Sequence, residues 1–377
     1  MKQLPVLFVL IVALHAAAVA AQPNAGDESV GLLPQTAPGT PWSFIGFAIA
    51  TPSDPAWMVS VGTPRSGTMG RAASAGADGG ASLVISSELV EKPIDSDTAL
   101  LAVTRDRHAR LSERWTLDKH EETVVRHAGA RCARHQMTAR EPEDLSPRKK
   151  PDKAAAPRQF LHVVGLSCVH PTEPRLLVEV GVSERTARNA MNEAVLRQGE
   201  AVISSLGFQR YSEQALQTSA EVARGGRVQE AESLLKPYID ADAAWARFFL
   251  AQIVQRAVPA PPDAGTRIKT LLEPAAGRGL ADAQWMLGTL YLRGDGVPKD
   301  TPLALALLRR AAERGSAGAA YQLGLMLLSG DTGFPPDRRE GVLWVTRAAV
   351  RGQKEAQELL NSAREGAGAP PAKPVGR

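Results

Sequence analysis

The segment from Ala281 to Gln353 is one pattern written twice, and this repetition constrains the chain more than any other feature. The first copy runs from Ala281 to Ser316 and the second from Ala317 to Gln353. With one extra residue in the middle loop of the second copy, Ala283 meets Ala319, Leu287-Gly288 meets Leu323-Gly324, and Gly294-Asp295 meets Gly330-Asp331. Asp300 then meets Asp337, and Arg310-Ala311-Ala312 meets Arg347-Ala348-Ala349. A period of about 36 residues suits one helical hairpin, which cannot bury its own apolar faces and must stack on its neighbours.

The spacing predicts a first helix from about Ala281 to Leu292 and a second from about Pro302 to Arg314. In the first, Ala283, Leu287, Leu290 and Tyr291 share one face, while Trp285 and Leu292 fall nearly opposite, so both faces are expected to stack. Gly288 has no side chain where helices would cross closely, and Gly294 and Gly315 stand where the chain must reverse.

Ala283, Leu287, Gly288, Tyr291, Gly294, Gly296, Val297, Asp300, Ala311, Ala312 and Gly315 resemble, in order, the pattern of the Sel1-like repeat, a TPR-like helical hairpin. The second copy departs from it at Leu327, Thr332, Gly333 and Phe334, which alters its loop more than its helices. The resemblance implies an α-helical solenoid whose first helices line a concave groove for a protein or peptide partner. The edge left by the two stacking faces carries Met286, Thr289 and Arg293, and one period later Gln322, Leu325 and Ser329. These six are the expected partner-binding groove. Cysteine-rich members of the family are associated with β-lactam binding and hydrolysis and carry a disulfide in each repeat, whereas these repeats contain no Cys.

The helical texture begins well before the best repeats. Ser212 to Arg224, a Gly225-Gly226 turn and Val228 to Ile239 read as a hairpin, and Leu234-Leu235-Lys236-Pro237 recurs as Leu271-Leu272-Glu273-Pro274. Ala244 to Gln255 and Arg267 to Arg278 form a degenerate unit, and Ala356 to Leu360 starts a closing helix. The repeat region is thus 212–363, with the resemblance strongest over 244–363 and best in 281–316 and 317–353. The Ala- and Pro-rich tail, 364–377, is expected to be disordered.

The N-terminal half has a different texture. Residues 1–21 carry Lys2, the apolar run Leu4 to Ala20 and small residues ending Ala18-Val19-Ala20-Ala21, the layout of a secretory signal with cleavage near Gln22. The mature chain is then expected to be exported, periplasmic in a Gram-negative source, with no membrane span once the signal is removed. A Pro- and Gly-rich stretch, 22–41, reads as a flexible lead.

Over 42–208, short runs rich in Val, Ile, Leu and aromatics suggest strands at Trp42 to Ala50, Ala56 to Val61, Ser82 to Val90, Gly129 to Ala139, Gln159 to His170 and Arg175 to Val182. Ser96 to Arg114, Asp118 to His127 and Thr186 to Leu206 read as helices. The expected class is an α+β domain, mostly antiparallel sheet with flanking helices, followed by the solenoid. Two halves with distinct cores would unfold separately.

Cys132 and Cys168 are the chain's two cysteines. If their strands form a hairpin with Cys132 opposite Cys168, Ala139 faces Leu161 and the charged segment 140–158 becomes a mobile loop. An even count in an oxidising compartment reads as a disulfide. The competing reading, a zinc set of Cys132, His135, Cys168 and His170, conflicts with side-chain alternation, which turns His135 to the face opposite Cys132.

Catalytic motifs are missing: no GxSxG, P-loop, GxGxxG or HExxH occurs, and His120-Glu121-Glu122 lacks a second His at the required spacing. His108, His127 and His162 stand singly, and Glu121-Glu122 reads as a helix-end pair. No catalytic, cofactor-binding or metal-binding residue is assigned. The net charge of +4 is mixed with acids along the chain and forms no basic stripe, so no nucleic-acid partner is expected. The reading is a non-enzymatic interaction scaffold. Its alternative is an envelope hydrolase or a small-ligand binder with its site in the N-terminal domain.

Overall fold

The computed structural model of the 377-residue chain describes residues 33–34, 39–63, 65–71, 80–110, 115–142, 159–330 and 336–366. The signal segment 1–21, most of the lead, residues 143–158 of the charged loop and the tail beyond 366 lie outside the described residues.

An eight-stranded antiparallel sheet organises the N-terminal half. Its strands are β1 (Leu33–Pro34), β4 (Trp57–Gly62), β5 (Ser66–Arg71), β6 (Ala81–Leu89), β10 (Glu173–Thr186), β9 (Phe160–His170), β8 (Ala130–Arg140) and β7 (Thr116–His127), in that spatial order. A three-stranded sheet orders β11 (Gly207–Phe208), β3 (Phe47–Ala50) and β2 (Pro41–Ser43). The β8–β9 register sets Cys132 opposite Cys168 and Ala139 opposite Leu161, as the sequence suggests, and the two sulfurs are bonded.

Helix α1 (Asp97–Ala109) covers one face of the large sheet, its start capped by the Ser96 hydroxyl accepting from the Ala99 amide. Ile94 and Leu100 pack there on Ala133, Val169 and Leu177. Helix α2 (Glu193–Ser204) lies on the other face, where Gly199 presses on Val182 so closely that a Cβ would stand 2.2 Å from Val182 Cγ1.

Three expectations are corrected here. Asp118 to His127 is not a helix but most of β7, paired along its length with β8. Its inward positions carry His120, Glu122 and Val124, so the apolar alternation that marks a strand is absent from the sequence. Trp42 to Ala50 is two strands, β2 and β3, turning through Gly46 at φ +89°, a conformation that favours glycine. Thr186 to Leu206 is helical only over α2, because β10 runs on to Thr186 and Asn192 caps the helix start. Sequence reading also left Ser66–Arg71 unassigned, and in the lead Leu33–Pro34 pairs with β4.

Nine consecutive helices follow among the described residues: α3 (Glu213–Arg224), α4 (Val228–Asp240), α5 (Ala244–Arg256), α6 (Ala264–Gly277), α7 (Ala281–Arg293), α8 (Thr301–Glu313), α9 (Ala317–Ser329), α10 (Arg338–Val350) and α11 (Lys354–Gly366). They form a helical solenoid of stacked hairpins. The repeated residues have local causes. Gly294 and Gly330 end α7 and α9 in the left-handed region, at φ +76° and +68°. Asp300 and Asp337 cap α8 and α10 by accepting from the Leu303 and Glu340 amides, each at 2.9 Å. Gly288 and Gly324 sit where the two helices of a hairpin touch.

The halves do not have separate cores. One buried apolar cluster runs from Trp42, Trp57 and Val182 through Tyr211 and Trp245 to Ala356, with Cys132 and Cys168 inside it. Polar bonds cross the same joint. Ser43 Oγ donates to the Arg278 carbonyl at 2.6 Å, Trp245 Nε1 to the Arg210 carbonyl at 3.0 Å, and Arg314 Nη2 to the Pro41 carbonyl at 2.9 Å. His170 Nε2 lies 2.9 Å from both the Gly46 and Gln209 carbonyls and can donate to either.

Candidate functional site

In the solenoid, α5, α7 and α9 are first helices of equal length, so their residues can be matched by position. The stripe positions are Phe249, Met286 and Gln322, then Gln252, Thr289 and Leu325, then Arg256, Arg293 and Ser329. Arg293, Leu325 and Ser329 are exposed and Thr289 and Gln322 half-buried. Met286, expected on the exposed edge, is 8% exposed, and Trp285, expected in the stack, is 37% exposed. The exchange has a steric cause: Gly318 on the next first helix leaves a shelf that the Trp285 ring occupies, a Cβ there standing 2.8 Å from the ring.

The Trp285 ring is held in that position. Its Nε1 donates to Gln322 Oε1 at 2.9 Å, and Thr289 Oγ1 lies 2.9 Å from the same oxygen. The carboxamide of one repeat thereby fixes two side chains of the previous one, and Trp285 and Leu325 (38% exposed) present apolar surface beside it. Fixed aromatic surface of this kind favours contact, because little side-chain entropy remains to be lost.

One repeat upstream the same stripe becomes concave. A hollow of about 420 Å³ opens between α3 and α5, lined by Ala220 and Ala223 from one helix and Phe249, Gln252, Ile253 and Arg256 from the other. Phe249, Gln252 and Arg256 are the stripe positions themselves. Small residues on α3 make the space, and the half-buried Phe249 and Ile253 give it an apolar wall. Arg256 and Arg293 are exposed at the ends of their helices and form no ion pair among the described residues.

A second constellation lies in the N-terminal half, where sequence reading saw isolated histidines. His108 on α1, His120 and Glu122 on β7 and His135 on β8 come together under the helix. The rings of His108 and His120 are 5.1 Å apart and those of His108 and His135 4.5 Å apart. Burial, helped by the neighbouring His120 and the Arg107 charge, pushes the His108 imidazole down to about 4. Burial and the flanking His108 and His120 likewise hold His135 well below its ordinary value. Both are neutral near pH 7.

The remaining candidates are structural. His162 is bonded through both ring nitrogens, to Thr138 Oγ1 at 3.2 Å and to the Arg188 carbonyl at 3.0 Å. His170 ties the Gly46 turn to Gln209, just ahead of the solenoid, and the cysteines paired with it in the zinc reading are joined to each other. No helix among the described residues is long and apolar enough to cross a membrane.

The family model described as Sel1 repeat matches residues 281–316 and 317–352. These segments are two Sel1 repeats, and Sel1 repeats generally mediate protein–protein interaction. Among solved structures, a Sel1 repeat protein from Oxalobacter formigenes is similar, at 27% identity and a TM-score of 0.36, over 42% of this chain and 66% of that one. A second is c5321, a protective antigen present in uropathogenic Escherichia coli strains displaying an SLR fold. It shares 22% identity at a TM-score of 0.36, over 40% of this chain and 33% of its own. The chain thus spans about two thirds of the first relative and a third of the second. No curated protein shows significant similarity to this chain.

Proposed function

We propose that this Sel1-repeat chain is a non-enzymatic, exported scaffold that holds a segment of a protein partner along the first-helix surface of its solenoid. The observation that carries the reading is the coincidence of the stripe with the hollow: Phe249, Gln252 and Arg256, which line a space of about 420 Å³, stand in register with Gln322, with Thr289 and Leu325, and with Arg293. An apolar anchor seated against Phe249 and Ile253, followed by chain running past Trp285 and Leu325, fits that surface. The exposed Arg256 and Arg293 favour carboxylates on the bound segment. Export is supported by the Lys2-led apolar run and by the Cys132–Cys168 disulfide. Recovery of Met1 on the mature protein would remove that part.

The test places a photo-crosslinking residue in cells at Gln252 or at Leu325, with Val342 on the outer helix α10, 44% exposed, as control. The expected result is one partner captured from both groove positions and not from Val342. Its capture should fall in a folded Arg256→Glu, Leu325→Glu variant. Equal capture from Val342, or capture unchanged in that variant, refutes the groove.

A further inference from the structure

His108, His120, Glu122 and His135 have no part in the groove, and their arrangement is costly unless something uses it. His120 and Glu122 are two residues apart on β7, so their side chains leave the same face of the strand. His108 comes down on them from the last turn of α1. One candidate ligand atom from each of these three residues lies within 4.8 Å of the other two, with His108 Nδ1 standing 3.9 Å from Glu122 Oε1.

We propose that His108, His120 and Glu122 form a binding site for a divalent transition-metal ion of the zinc class. His108 Nδ1 and His120 Nε2 are both buried and without a hydrogen-bond partner, although His108 is only 7% exposed. Buried polar atoms are nearly always satisfied, and a cation held between the two imidazoles and the buried Glu122 carboxylate would satisfy both nitrogens at once. Glu122 itself is almost inaccessible at its side chain. Two imidazoles and a carboxylate select zinc-like ions over calcium or magnesium, which take oxygen ligands.

The geometry needs little change to receive the ion. Metal–ligand bonds of about 2.0–2.2 Å in a tetrahedron set ligand atoms ~3.4 Å apart, so the present spacing closes by side-chain shifts of about 1 Å. Thr104 Oγ1 donates to Glu122 Oε1 and orients the carboxylate, the outer-shell role that metal sites depend on. His135, opposite Glu122 in the β7–β8 register, packs against His108 from the sheet side. It fits only because position 165 is glycine, where a Cβ would stand 2.3 Å from His135 Nε2. His120 is only half-buried and leaves an approach from solvent, and three protein ligands leave a fourth position open. Arg105 Nε, 3.3 Å from Glu122 Oε2, is the cation that pairs with this carboxylate among the described residues, and its side chain, 65% exposed, has room to swing away.

The experiment uses the full mature chain without a histidine tag, stripped with chelator and titrated with Zn²⁺ by calorimetry and with Co²⁺ by visible absorption. One equivalent is expected to bind, with cobalt bands that report nitrogen and oxygen ligation. His120→Ala and Glu122→Gln, which remove ligands outright, should each weaken binding by more than the roughly 10–100-fold that loss of an outer-shell partner costs. Arg105→Gln, which removes the competing charge without touching a ligand, should tighten it. His127→Gln, on the same strand but outside the cluster, should leave it unchanged. Undiminished affinity in both ligand variants overturns the site. Should those variants fail to fold, the absence of cobalt bands in the unmodified chain, or no tightening in Arg105→Gln, overturns it as well.

Discussion

The two repeat glycines offer a test of how tightly each hairpin is packed, because the same substitution should be near-neutral at one position and destabilising at its equivalent. Alanine is favoured over glycine inside a helix by about 1 kcal/mol. At Gly288 a new Cβ would stand 3.1 Å from the Ala304 carbonyl oxygen and Leu308 Cγ and 3.2 Å from Leu307 Cβ, tight but without overlap. The packing cost there is about 1 kcal/mol, which the helix preference offsets, so Gly288→Ala should change stability by no more than ~0.5 kcal/mol. At Gly324 the Cβ would stand 2.7 Å from Val345 Cγ2, 2.9 Å from the Gly341 carbonyl oxygen and 3.0 Å from the Val345 amide nitrogen. Two of those atoms are backbone of α10, and the third belongs to a β-branched side chain with one preferred rotamer in a helix. Nothing local can yield, so α9 and α10 must separate. With backbone in the way the cost falls in the upper part of the overpacking range, about 2–3 kcal/mol, leaving Gly324→Ala destabilised by about 1–2 kcal/mol after the helix gain.

The assay is urea unfolding followed by far-ultraviolet circular dichroism, with the slope m checked for constancy so that midpoint shifts report stability. A second prediction is built into the same design. Val345→Ala removes the nearest obstructing atom, so its cost should be smaller by about 1 kcal/mol in the Gly324→Ala background than in the parent. A Gly324→Ala variant as stable as Gly288→Ala, or no coupling to Val345, refutes the close-contact account of the repeated Leu-Gly pair.

Replacing Cys132 and Cys168 together by Ala removes a cross-link closing 36 residues and should cost on the order of 4 kcal/mol. The loss should appear as one shifted transition in both halves, since the cysteines share a core with Trp245; two separated transitions by Trp fluorescence and circular dichroism would contradict the shared core. Burial lowers the His170 pKa, against the pull of the Gly46 and Gln209 carbonyls, and its Nδ1 accepts from the Thr172 amide at 3.2 Å. The unfolded chain therefore takes up the proton first, so stability should hold above about pH 6.5 and fall as pH drops below it. His170→Gln, measured by midpoint against pH, should flatten part of that fall and leave the part owed to the buried His108 and His135. Asp337→Ala removes the cap of α10 and should cost about 1 kcal/mol in the same unfolding assay.

The parts of this molecule that were legible in its sequence are those whose causes are local. The Gly at positions 294 and 330, the Asp at 300 and 337 and the Leu-Gly pairs act within one hairpin, so a period of about 36 residues carries the whole instruction. The cysteine pairing was legible for a related reason: a hairpin around the charged loop that sets Cys132 opposite Cys168 also sets Ala139 opposite Leu161, and the structure has both pairs. The joint between the halves was not, because Ser43 with Arg278 and Tyr211 with Trp245 meet across long stretches of chain with no periodic trace. Met286 and Trp285 exchanged roles because Gly318, in the next repeat, decides which of two adjacent positions has room.

The histidine cluster was lost through one misread element. Residues i and i+2 on a helix point in nearly opposite directions, so a helical Asp118–His127 separates His120 from Glu122 and makes each a solitary surface group. On a strand the same spacing puts both on one face, and the β7–β8 register then sets Glu122 beside His135 while α1 lowers His108 onto the group. The strand is hidden because two of the three inward positions of β7, His120 and Glu122, carry ligand-type residues where a purely structural strand would carry Val or Ile, as at Val124. The substitution of ligand-type residues for core residues on a buried face both hides a strand from pattern reading and marks where its function should be sought.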